Sequence, residues 1–477
     1  MTPRAQRLFL PALFAAWGAF TAWCVWGFPP CVDLPAHGAQ LETLANLVRG
    51  DRAVAELYEV KVPLGYGLPF WLFLPVALVS NGALAARLAM WTALQLFPWS
   101  HLALARAFKR PDWTVLLGLP LAFNISYWYG LLPGLFAQPL AFLTLATFAR
   151  ALDRPRARWL LLVNACAVAT LLSHLVAFAA TGFVMGAFAL TQKPRLPALK
   201  ALGLGLAVPA LLSVSKVWSM AGRAVTPGPW PATVYDLPSH FNWFFKNYRP
   251  EGSLAALVPL VIGAFFAAVY MVRWRKEPVG PAVMLAAMLA LYLATPKTLS
   301  GIFLISVRLP VLAGMLALLV ARPPEWKPLP FVLVGLCLAS LAQTALFHWR
   351  FARAVDGLDA MVQTPPKGRH GYVSLVGREV LGSRQVYLDH LGQWWTARWG
   401  GVGHNFFADA EHHPVRFREG VSVPADLWDE PPERLAFFDE LLVYGAAPLP
   451  AKLESWRELE HAGPWRKLGR PAAGFGP

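Results

Sequence analysis

Residues 8–37 read LFLPALFAAWGAFTAWCVWGFPPCVDLPAH, and this stretch decides how the rest of the chain is interpreted. The part from Leu8 to Phe28 is apolar and follows Arg4 and Arg7, and a bilayer-crossing helix needs about 20 such residues. Its basic flank resembles that of a signal peptide, but it is long, and Pro-Pro-Cys follows instead of a small-residue cleavage site. We therefore predict an uncleaved first span that enters from the cytoplasm.

The composition is that of a membrane protein. Of 477 residues, 56% are hydrophobic and only 14% are charged, whereas a soluble domain carries about 25% charged residues. Together with a mean hydropathy of +0.45, these values exclude a disordered chain, a disulfide-stapled secreted module and a conventional cytosolic enzyme. Twenty-one Trp and 42 Pro fit aromatic belts at the membrane surface and interrupted helices. The four Cys form no CxxC pair and are too few for a disulfide framework.

The positive charge lies between the apolar runs. Residues 349–477 contain 15 Lys and Arg against 16 Asp and Glu, so residues 1–348 carry a net charge of +16 within the formal +15 of the whole chain. There it forms short clusters that separate hydrophobic segments, as in cytoplasmic membrane loops. The expected partner of these residues is therefore the lipid bilayer, and no nucleic acid is expected.

Ten further apolar stretches are each compatible with a membrane span. They cover residues 84–105, 113–127, 132–149, 159–177, 179–192, 199–217, 254–272, 279–294, 302–321 and 331–348. The run 64–79 is shorter and is interrupted by two Pro. If it does not cross, seventeen Lys and Arg face the cytoplasm, and if it crosses, fifteen of them lie outside. We therefore predict a re-entrant or interfacial segment at 64–79, eleven spans, a cytoplasmic N-terminus and an extracytoplasmic C-terminus.

The predicted fold is an all-α polytopic protein of the plasma (inner) membrane with about 11 transmembrane helices. Residues 1–348 form the transmembrane domain, with outer loops at 29–82 and 218–253. Residues 349–477 follow as an extracytoplasmic C-terminal domain, because turn signals alternate there with short apolar runs. This pattern predicts a small α/β fold for the tail.

Ionisable residues in spans are costly to insert, so each is a candidate for function. In the predicted topology, several polar residues lie at one level near the outer surface. They are Asp33, His37, Asn124, Tyr127, His174, Lys216, Lys297 and Arg308. Cations at this level suit a phosphate group, and a single carboxylate suits a general base. Their common depth predicts a polar cavity that opens outward.

The residues of the first loop also have structural interpretations. The apolar spacing of residues 36–49 predicts an amphipathic helix in the membrane interface, and Asp33 suits its N-cap. That role is compatible with the role of a base. His37 lies four residues on, within reach of Asp33 if the helix starts early, although a lone His is more often an interfacial polar contact.

The same holds for the cations further along. Arg308 lies six residues into its predicted span, where it needs a partner, although its long stem could also reach the interface. His174 could hydrogen-bond a neighbouring helix. Lys216 and Lys297 also suit ordinary flanking charges near the membrane surface.

Other chemical motifs are missing. The sequence has no P-loop, no supported GxGxxG, no HExxH and no GxSxG, which argues against a nucleotide-driven pump or a soluble-type hydrolase. In the tail, His404, Asp409, His412 and His413 match no standard metal-ligand spacing. We interpret them as a polar loop and predict no metal site.

The order of these features resembles the GT-C membrane glycosyltransferases, which include protein O-mannosyltransferases, lipid A aminoarabinose transferases and the oligosaccharyltransferase catalytic subunit. The resemblance covers the organisation of residues 8–348. It lies in a single span, an outer loop that opens with Asp33 and an amphipathic helix, the run Tyr66-Gly-Leu-Pro69, and a basic-flanked span from Arg87 to Arg106. The outer C-terminal domain also fits this plan.

The resemblance implies transfer of a sugar from a polyprenyl-phosphate donor to a glycan, lipid or protein acceptor at the outer face. Asp33 matches the first-loop catalytic acid, and Arg308 is similar to the basic residue near the lipid-linked phosphate. The remaining candidates are His37 beside Asp33, Lys297, His174 and Lys216 for the donor phosphate, and Tyr66, Asn124 and Tyr127 for the substrate cavity. No cofactor is assigned, and a divalent cation is left open, because the chain has neither a clear DxD nor the Asp-Glu pair of several members.

Two other functions stay open at this point. One is a transporter or flippase of a lipid-linked anionic substrate, and the other is a non-catalytic membrane assembly subunit. A transporter should carry polar groups at both depths and often has paired interrupted helices in two halves. The inner halves of the predicted spans hold few polar residues beyond Gln95, His101 and Asn164, and no such symmetry is evident.

Overall fold

The structure is a computed structural model that describes residues 3–221, 233–247, 257–299, 305–376, 386–404, 413–421 and 432–470, with Leu381, Ala408 and Val423. The helices are α1 Pro3–Trp26, α2 Leu34–Arg49, α3 Arg52–Leu57, α4 Leu68–Val79, α5 Gly82–Ala107, α6 Val115–Gly118, α7 Ile125–Trp128, α8 Leu132–Asp153, α9 Ala157–Ser173, α10 Leu175–Thr191, α11 Arg195–Ala221, α12 Leu237–Lys246, α13 Val258–Arg273, α14 Val279–Ala294, α15 Pro310–Ala317, α16 Leu329–Ala354, α17 Leu358–Met361, α18 Gln393–Trp399 and α19 Pro432–Leu435. The strands are β1 Tyr58–Val60, β2 Thr233–Val234, β3 Thr298–Leu299, β4 His370–Ser374, β5 Val415–Phe417, β6 Glu440–Tyr444, β7 Arg457–Ala462 and β8 Trp465–Gly469.

The mostly helical architecture predicted from the sequence is confirmed. Each of the eleven predicted spans overlaps helical structure. Among the described residues, four helices are long and apolar enough to cross a membrane: Phe9–Trp26, Leu132–Asp153, Arg195–Val214 and Leu329–Ala354. The other apolar helices of the bundle include several of 10–17 residues. The count of eleven spans and their orientation stay predictions.

Three predicted spans are not continuous helices, and one of them, 159–177, is divided at His174 between α9 and α10. The stretch 113–127 consists of a 3-10 turn, α6, a second 3-10 turn at Leu119–Ala122 and the separate α7. The stretch 302–321 contains a 3-10 turn at Ser306–Arg308 before α15. The prolines inside these last two stretches end or restart the helix, since proline removes a backbone donor. Arg308 therefore lies in a turn at the start of a helix, and not inside a helix as predicted.

Helix α2 is observed at the predicted position, and its placement in the membrane interface stays a prediction, but the side that such a helix would turn to water is covered by protein. All of its residues from Leu34 to Ala45 are buried. Helices α4 and α5 pack against it, and α18 from the C-terminal region covers another face. The polar residues of α2 therefore face protein and not water.

Helix α4 accounts for most of the run 64–79, and it follows α2. Near its start the Phe70 ring lies 5.5 Å from the ring of His37, and near its end the carbonyls of Ala77 and Leu78 accept hydrogen bonds from Arg49. Its 12 residues extend about 18 Å, less than the ~30 Å of a hydrocarbon core. This course fits a re-entrant or interfacial segment, which stays a prediction.

Helix α5 begins against α2 through glycine contacts. A Cβ on Gly82 would lie 2.1 Å from the carbonyl oxygen of Gly38, so the two backbones touch there. The Asn81 side chain accepts the N–H of Leu84 at 2.8 Å and caps the helix. The Glu42 carboxylate accepts the N–H of Gly82 at 2.6 Å. These contacts fix the start of the predicted second span beside the first loop.

The C-terminal region contains the predicted small sheet. Its strand order is β4-β6-β8-β7, with β4 parallel to β6 and the other neighbours antiparallel. Strand β5 pairs instead with β1 of the first loop, so that Tyr58 lies opposite Phe417. The tail is thus joined to the first loop by a sheet as well as by the packing of α18 on α2.

Candidate functional site

The backbone around Asp33 is fixed by the segment that follows α7. The N–H of Asp33 donates to the Tyr129 carbonyl at 2.8 Å, and the N–H of Val32 donates to the Trp128 carbonyl at 3.2 Å. Gly130, with φ +67°, makes this approach feasible, since a Cβ there would lie 2.5 Å from the backbone nitrogen of Leu34. The position of Asp33 is therefore fixed by contacts of its backbone, independently of any contact of its side chain.

Asp33 occupies the N-cap position of α2, but its carboxylate is not used to cap the helix. It makes no capping hydrogen bond to the helix, and its side chain is 16% exposed. Its pKa is raised from 3.8 to about 8, mainly because the carboxyl group is buried and also because of the charge of Asp389, while the charge of Arg308 opposes the rise. His390 of the tail lies 3.6 Å away, measured from its Nε2 to Oδ1 of Asp33.

Arg308 lies at the edge of a small pocket near Asp33. Its guanidinium contacts the Nε2 of His174 and, at 3.4 Å, the hydroxyl of Tyr66. Its Nε is buried without a hydrogen-bond acceptor, and within the described part of the chain no carboxylate lies within 4.0 Å of it. The pocket is lined by Gly134, Gln138, His174, Ala177, Arg308, Leu309 and Leu312. The pocket thus joins a cation to an apolar wall.

Two turns present the partners of Arg308. His174 is the extended residue between α9 and α10, four residues before the junction predicted from hydropathy, and its Nδ1 accepts the N–H of Ala177 at 3.4 Å. Tyr66 follows Gly65, which has φ +91° and packs closely against Leu175. The rings of Tyr66 and His174 lie 5.4 Å apart. The predicted convergence of these residues with Arg308 is therefore observed.

His37 lies one turn into α2, where its ring stacks on His413 with a centroid distance of 5.8 Å. The Nδ1 of His413 lies 3.0 Å from Oε1 of Gln40, and its ring lies 5.4 Å from that of Tyr66. The chain of contacts Gln40, His413, Tyr66 and Arg308 connects the first loop, the tail and α15. His37 thus borders the same cluster as Arg308.

Of the histidines interpreted as a polar loop in the tail, the structure describes His404 and His413, which lie outside helices and strands, as predicted for a loop, but are buried. His413 is only 4% exposed because it inserts between α2 and Tyr66. His404 is also buried, and its carbonyl accepts a hydrogen bond from Gln393. Asp409 and His412 lie outside the described residues. Among the described residues there is no group of three His, Cys, Asp or Glu side chains that could hold a metal ion.

The remaining predicted residues lie around this cluster at different distances. Asn124 caps α7 and donates to Gln138, which lines the Arg308 pocket, at 2.9 Å. Lys297 lies over the ring of Trp243 at 5.5 Å. Tyr127 is fully buried, and its hydroxyl bonds His348 at 2.5 Å. Lys216 belongs to α11, and its side chain lies outside the described part of the chain.

Sequence reasoning missed the residues that the tail and α8 contribute. They are His390, Asp389, His413 and Gln138, with Gln40 on α2. No local spacing distinguishes them, because each depends on a contact between distant parts of the chain. Gln138 alone carries a usable signal, since an amide inside a predicted span needs a partner.

No protein-family model matches this chain, and no curated protein matches it in sequence. Two solved structures match its fold. ArnT from Cupriavidus metallidurans bound to undecaprenyl phosphate is 15% identical with a TM-score of 0.52, and the match covers 98% of this chain and 99% of that one. The apo state of the same protein is 16% identical with a TM-score of 0.52, over 99% and 100% of the two chains.

These matches confirm the resemblance to the GT-C aminoarabinose transferases at the level of fold. They extend it beyond residues 8–348, because nearly the whole chain aligns, including the C-terminal region. With its apolar helices, the chain has the fold of a membrane protein.

Proposed function

We propose that this chain is a membrane glycosyltransferase that moves a sugar from a polyprenyl-phosphate donor to an acceptor at the outer face of the plasma (inner) membrane. The observation that supports it most is a largely buried carboxylate, Asp33, close enough to Arg308 for the charge of the guanidinium to lower its pKa, although the two form no ion pair. The chain that carries these two residues has the fold of ArnT, a protein solved with undecaprenyl phosphate bound. The acceptor is a glycan, a lipid or a protein.

Asp33 acts as the general base in this proposal. The acceptor hydroxyl must lose its proton as it attacks the anomeric carbon, and a base is most effective when its pKa is close to the working pH. A pKa of about 8 meets that condition, whereas an exposed Asp would be too weak a base. The hydrogen bonds that the backbone of residues 32 and 33 makes to Trp128 and Tyr129 fix the position from which its carboxylate extends.

Arg308 binds the phosphate that leaves. Its buried Nε lacks an acceptor, so that an incoming phosphate oxygen supplies the missing hydrogen bond. Negative charge develops on the bridging oxygen as the sugar departs, and a fixed cation in a poorly hydrated pocket stabilises that charge more in the transition state. Tyr66 and His174 hold the guanidinium in place.

Apolar side chains border the pocket beside Arg308: Leu309, Leu312 and Ala177. The pocket itself is about 10 Å³, too small for an isoprene unit, so in this proposal it widens along these side chains when the donor binds. Asn124 supports the lining of the pocket through Gln138. The proposal assigns the counter-charge of the phosphate to Arg308 and includes no metal ion.

The test is a transfer assay with protein reconstituted in liposomes, a radiolabelled polyprenyl-phosphate sugar and a membrane extract as the acceptor source. The wild type is expected to release polyprenyl phosphate and to label the acceptor. Asp33→Asn should lower the rate by at least a hundredfold, since the base is lost, and Arg308→Ala should do the same through the donor. Glu56→Gln removes an exposed carboxyl from the same loop and serves as the control, with unchanged activity expected.

Full activity of Asp33→Asn would remove Asp33 from the mechanism. Movement of intact donor across the liposome membrane without release of polyprenyl phosphate would instead indicate a flippase.

A further inference from the structure

A second polar cleft, of about 290 Å³, lies where the first loop and α5 meet the C-terminal region. It shares no lining residue with the Arg308 pocket. Its lining is Phe28, Ser80, Asn81, Ala83, Leu84, Arg87, Asp359, Val362, Trp394 and Arg398. The cleft therefore combines two Arg, one Asp and two aromatic rings.

Arg87 is held in this cleft without a bonded counter-ion. Its guanidinium lies over the Trp394 ring at 4.7 Å and near the Phe28 ring at 5.6 Å. Its Nε is buried with no hydrogen-bond acceptor in the described part of the chain. A buried donor without an acceptor costs free energy, and an anionic ligand removes this cost.

The nearby carboxylate does not fill this role. Asp359 bonds Arg398 at 3.2 Å, and its other oxygen accepts the amide of Gln363 at 3.0 Å. Two guanidinium groups thus face one carboxylate, which leaves the cleft with an excess of one positive charge. Asn81 uses its side-chain oxygen to cap α5, so that its amide nitrogen is left for a ligand.

The position of the cleft indicates the kind of anion. Phe28 lies two residues after the end of α1, and Asn81 and Arg87 lie at the start of α5. Both helices match predicted membrane spans, so the cleft lies level with their ends. Trp394 follows His390 by four residues, and His390 contacts Asp33, so the cleft lies on the same side as the carboxylate. A ligand at this level is within reach of the bilayer surface.

We propose that this cleft binds the phosphate of a membrane-lipid headgroup, with Arg87 and Arg398 on its oxygens and the glycerol portion against Phe28 and Leu84. Arg binds phosphate through parallel hydrogen bonds, and the aromatic rings fix the plane of the guanidinium of Arg87. The site does not depend on the transferase activity proposed above.

Native mass spectrometry of the detergent-purified protein tests this proposal. Dioleoyl phosphatidic acid should bind, whereas dioleoyl phosphatidylcholine, whose zwitterionic headgroup carries no net charge, should bind at least tenfold more weakly. Arg87→Met and Arg398→Gln should each weaken binding of phosphatidic acid at least tenfold. Arg353→Gln is the matched control, because it removes an exposed Arg that does not line the cleft, and binding should be unchanged.

Thermal unfolding separates a ligand role of Arg87 from a structural one. Without lipid, Arg87→Met should unfold at the same temperature as the wild type or higher, since an unbonded buried charge is removed. Phosphatidic acid should raise the wild-type Tm and leave that of the variant unchanged.

Three results would overturn the proposal. One is a lower Tm of Arg87→Met with undiminished lipid binding, which would make Arg87 a structural residue. The second is equal binding to the wild type, Arg398→Gln and Arg353→Gln, which keeps the test valid if Arg87→Met does not fold. The third is complete competition by millimolar inorganic phosphate, which would make the ligand a soluble phosphate.

Discussion

Asp33 occupies the N-cap position of α2 without capping the helix. It stands immediately before α2, as the sequence predicts for an N-cap, yet its side chain makes no capping bond. Pro35 in the first turn of the helix lowers the need for a cap, because proline has no backbone N–H to satisfy. The carboxylate is consequently not bonded to the helix, and the charge of Arg308 acts on it.

The pKa of Asp33 leads to a prediction for the pH dependence of transfer. A general base must be ionised, and burial raises the pKa of Asp33 to about 8. The value of kcat/KM should therefore rise about tenfold per pH unit below pH 7 and level off above pH 8. Initial rates in the reconstituted assay between pH 5.5 and 9.5 measure this profile. A plateau that begins at pH 5 would contradict it, since it would be the behaviour of an ordinary exposed Asp.

The sequence predicted some of the clustered residues and missed others for a definite reason. Arg308 and His174 were predicted together because membrane depth can be read from the distance to a span end, whereas Tyr66 was assigned to the substrate cavity through the family resemblance. His413 and His390 come from the tail, where depth carries no information. Their proximity to Asp33 and His37 depends on long-range packing that no local pattern encodes.

Helix α2 is the element whose surroundings differ most from the prediction. Its periodicity is that of an amphipathic helix, and the periodicity was interpreted as one apolar and one water-facing side. In the structure two of the buried polar side chains bond other parts of the protein: Glu42 accepts the N–H of Gly82, and Gln40 contacts His413. Periodicity identifies a helix, but it does not distinguish water from a polar protein surface.

The short segment between α7 and α8 leads to a prediction about Gly130. Alanine there would meet the backbone of Leu34 at 2.5 Å and would strain a positive φ, so the segment and Asp33 must move apart. We expect Gly130→Ala to lower the transfer rate at least tenfold, while the protein still inserts and purifies. Gly203→Ala is the control, because it lies in α11 with nothing within 4 Å of the added Cβ, and it should be neutral. Equal rates for both variants would show that the position of Asp33 does not depend on Gly130.

At the scale of the whole molecule, the first loop and the tail form one unit. Strand β5 pairs with β1, and α18 packs on α2, so residues from both ends of the chain surround Asp33. The predicted division at residue 348 follows hydropathy and stays a prediction as a domain boundary. Hydropathy predicted the helices of the bundle, but it cannot predict the contact between the first loop and the tail.

The contribution of the tail to the site can be tested at His413. Replacement by Ala removes the stacking on His37 and the contact with Gln40, which leaves α2 and Tyr66 less ordered. We expect His413→Ala to lower kcat/KM about tenfold or more without loss of membrane insertion. His461→Ala changes an exposed His on β7 and should leave the rate unchanged. Equal activity of both variants would show that His413 of the tail does not contribute to the reaction.

The predicted orientation of the whole chain can be measured with single cysteines. Ala53→Cys in the first loop and Glu458→Cys on β7 are exposed positions, and so is Arg154→Cys between α8 and α9. In a background without the four native Cys, a membrane-impermeant maleimide should label the first two in intact cells. It should reach the third only after permeabilisation. Any other pattern would refute the placement of Asp33 on the outer side.

The joining of the two ends of the chain also has a consequence for biosynthesis. Asp33 emerges from the ribosome long before His390 and His413 have been translated. The carboxylate of the nascent polypeptide therefore lacks Asp389, whose charge raises its pKa, and His390, which contacts it, until the C-terminal region packs against α2. The base proposed for the transfer acquires its final surroundings only after the C-terminal region has been synthesised and folded.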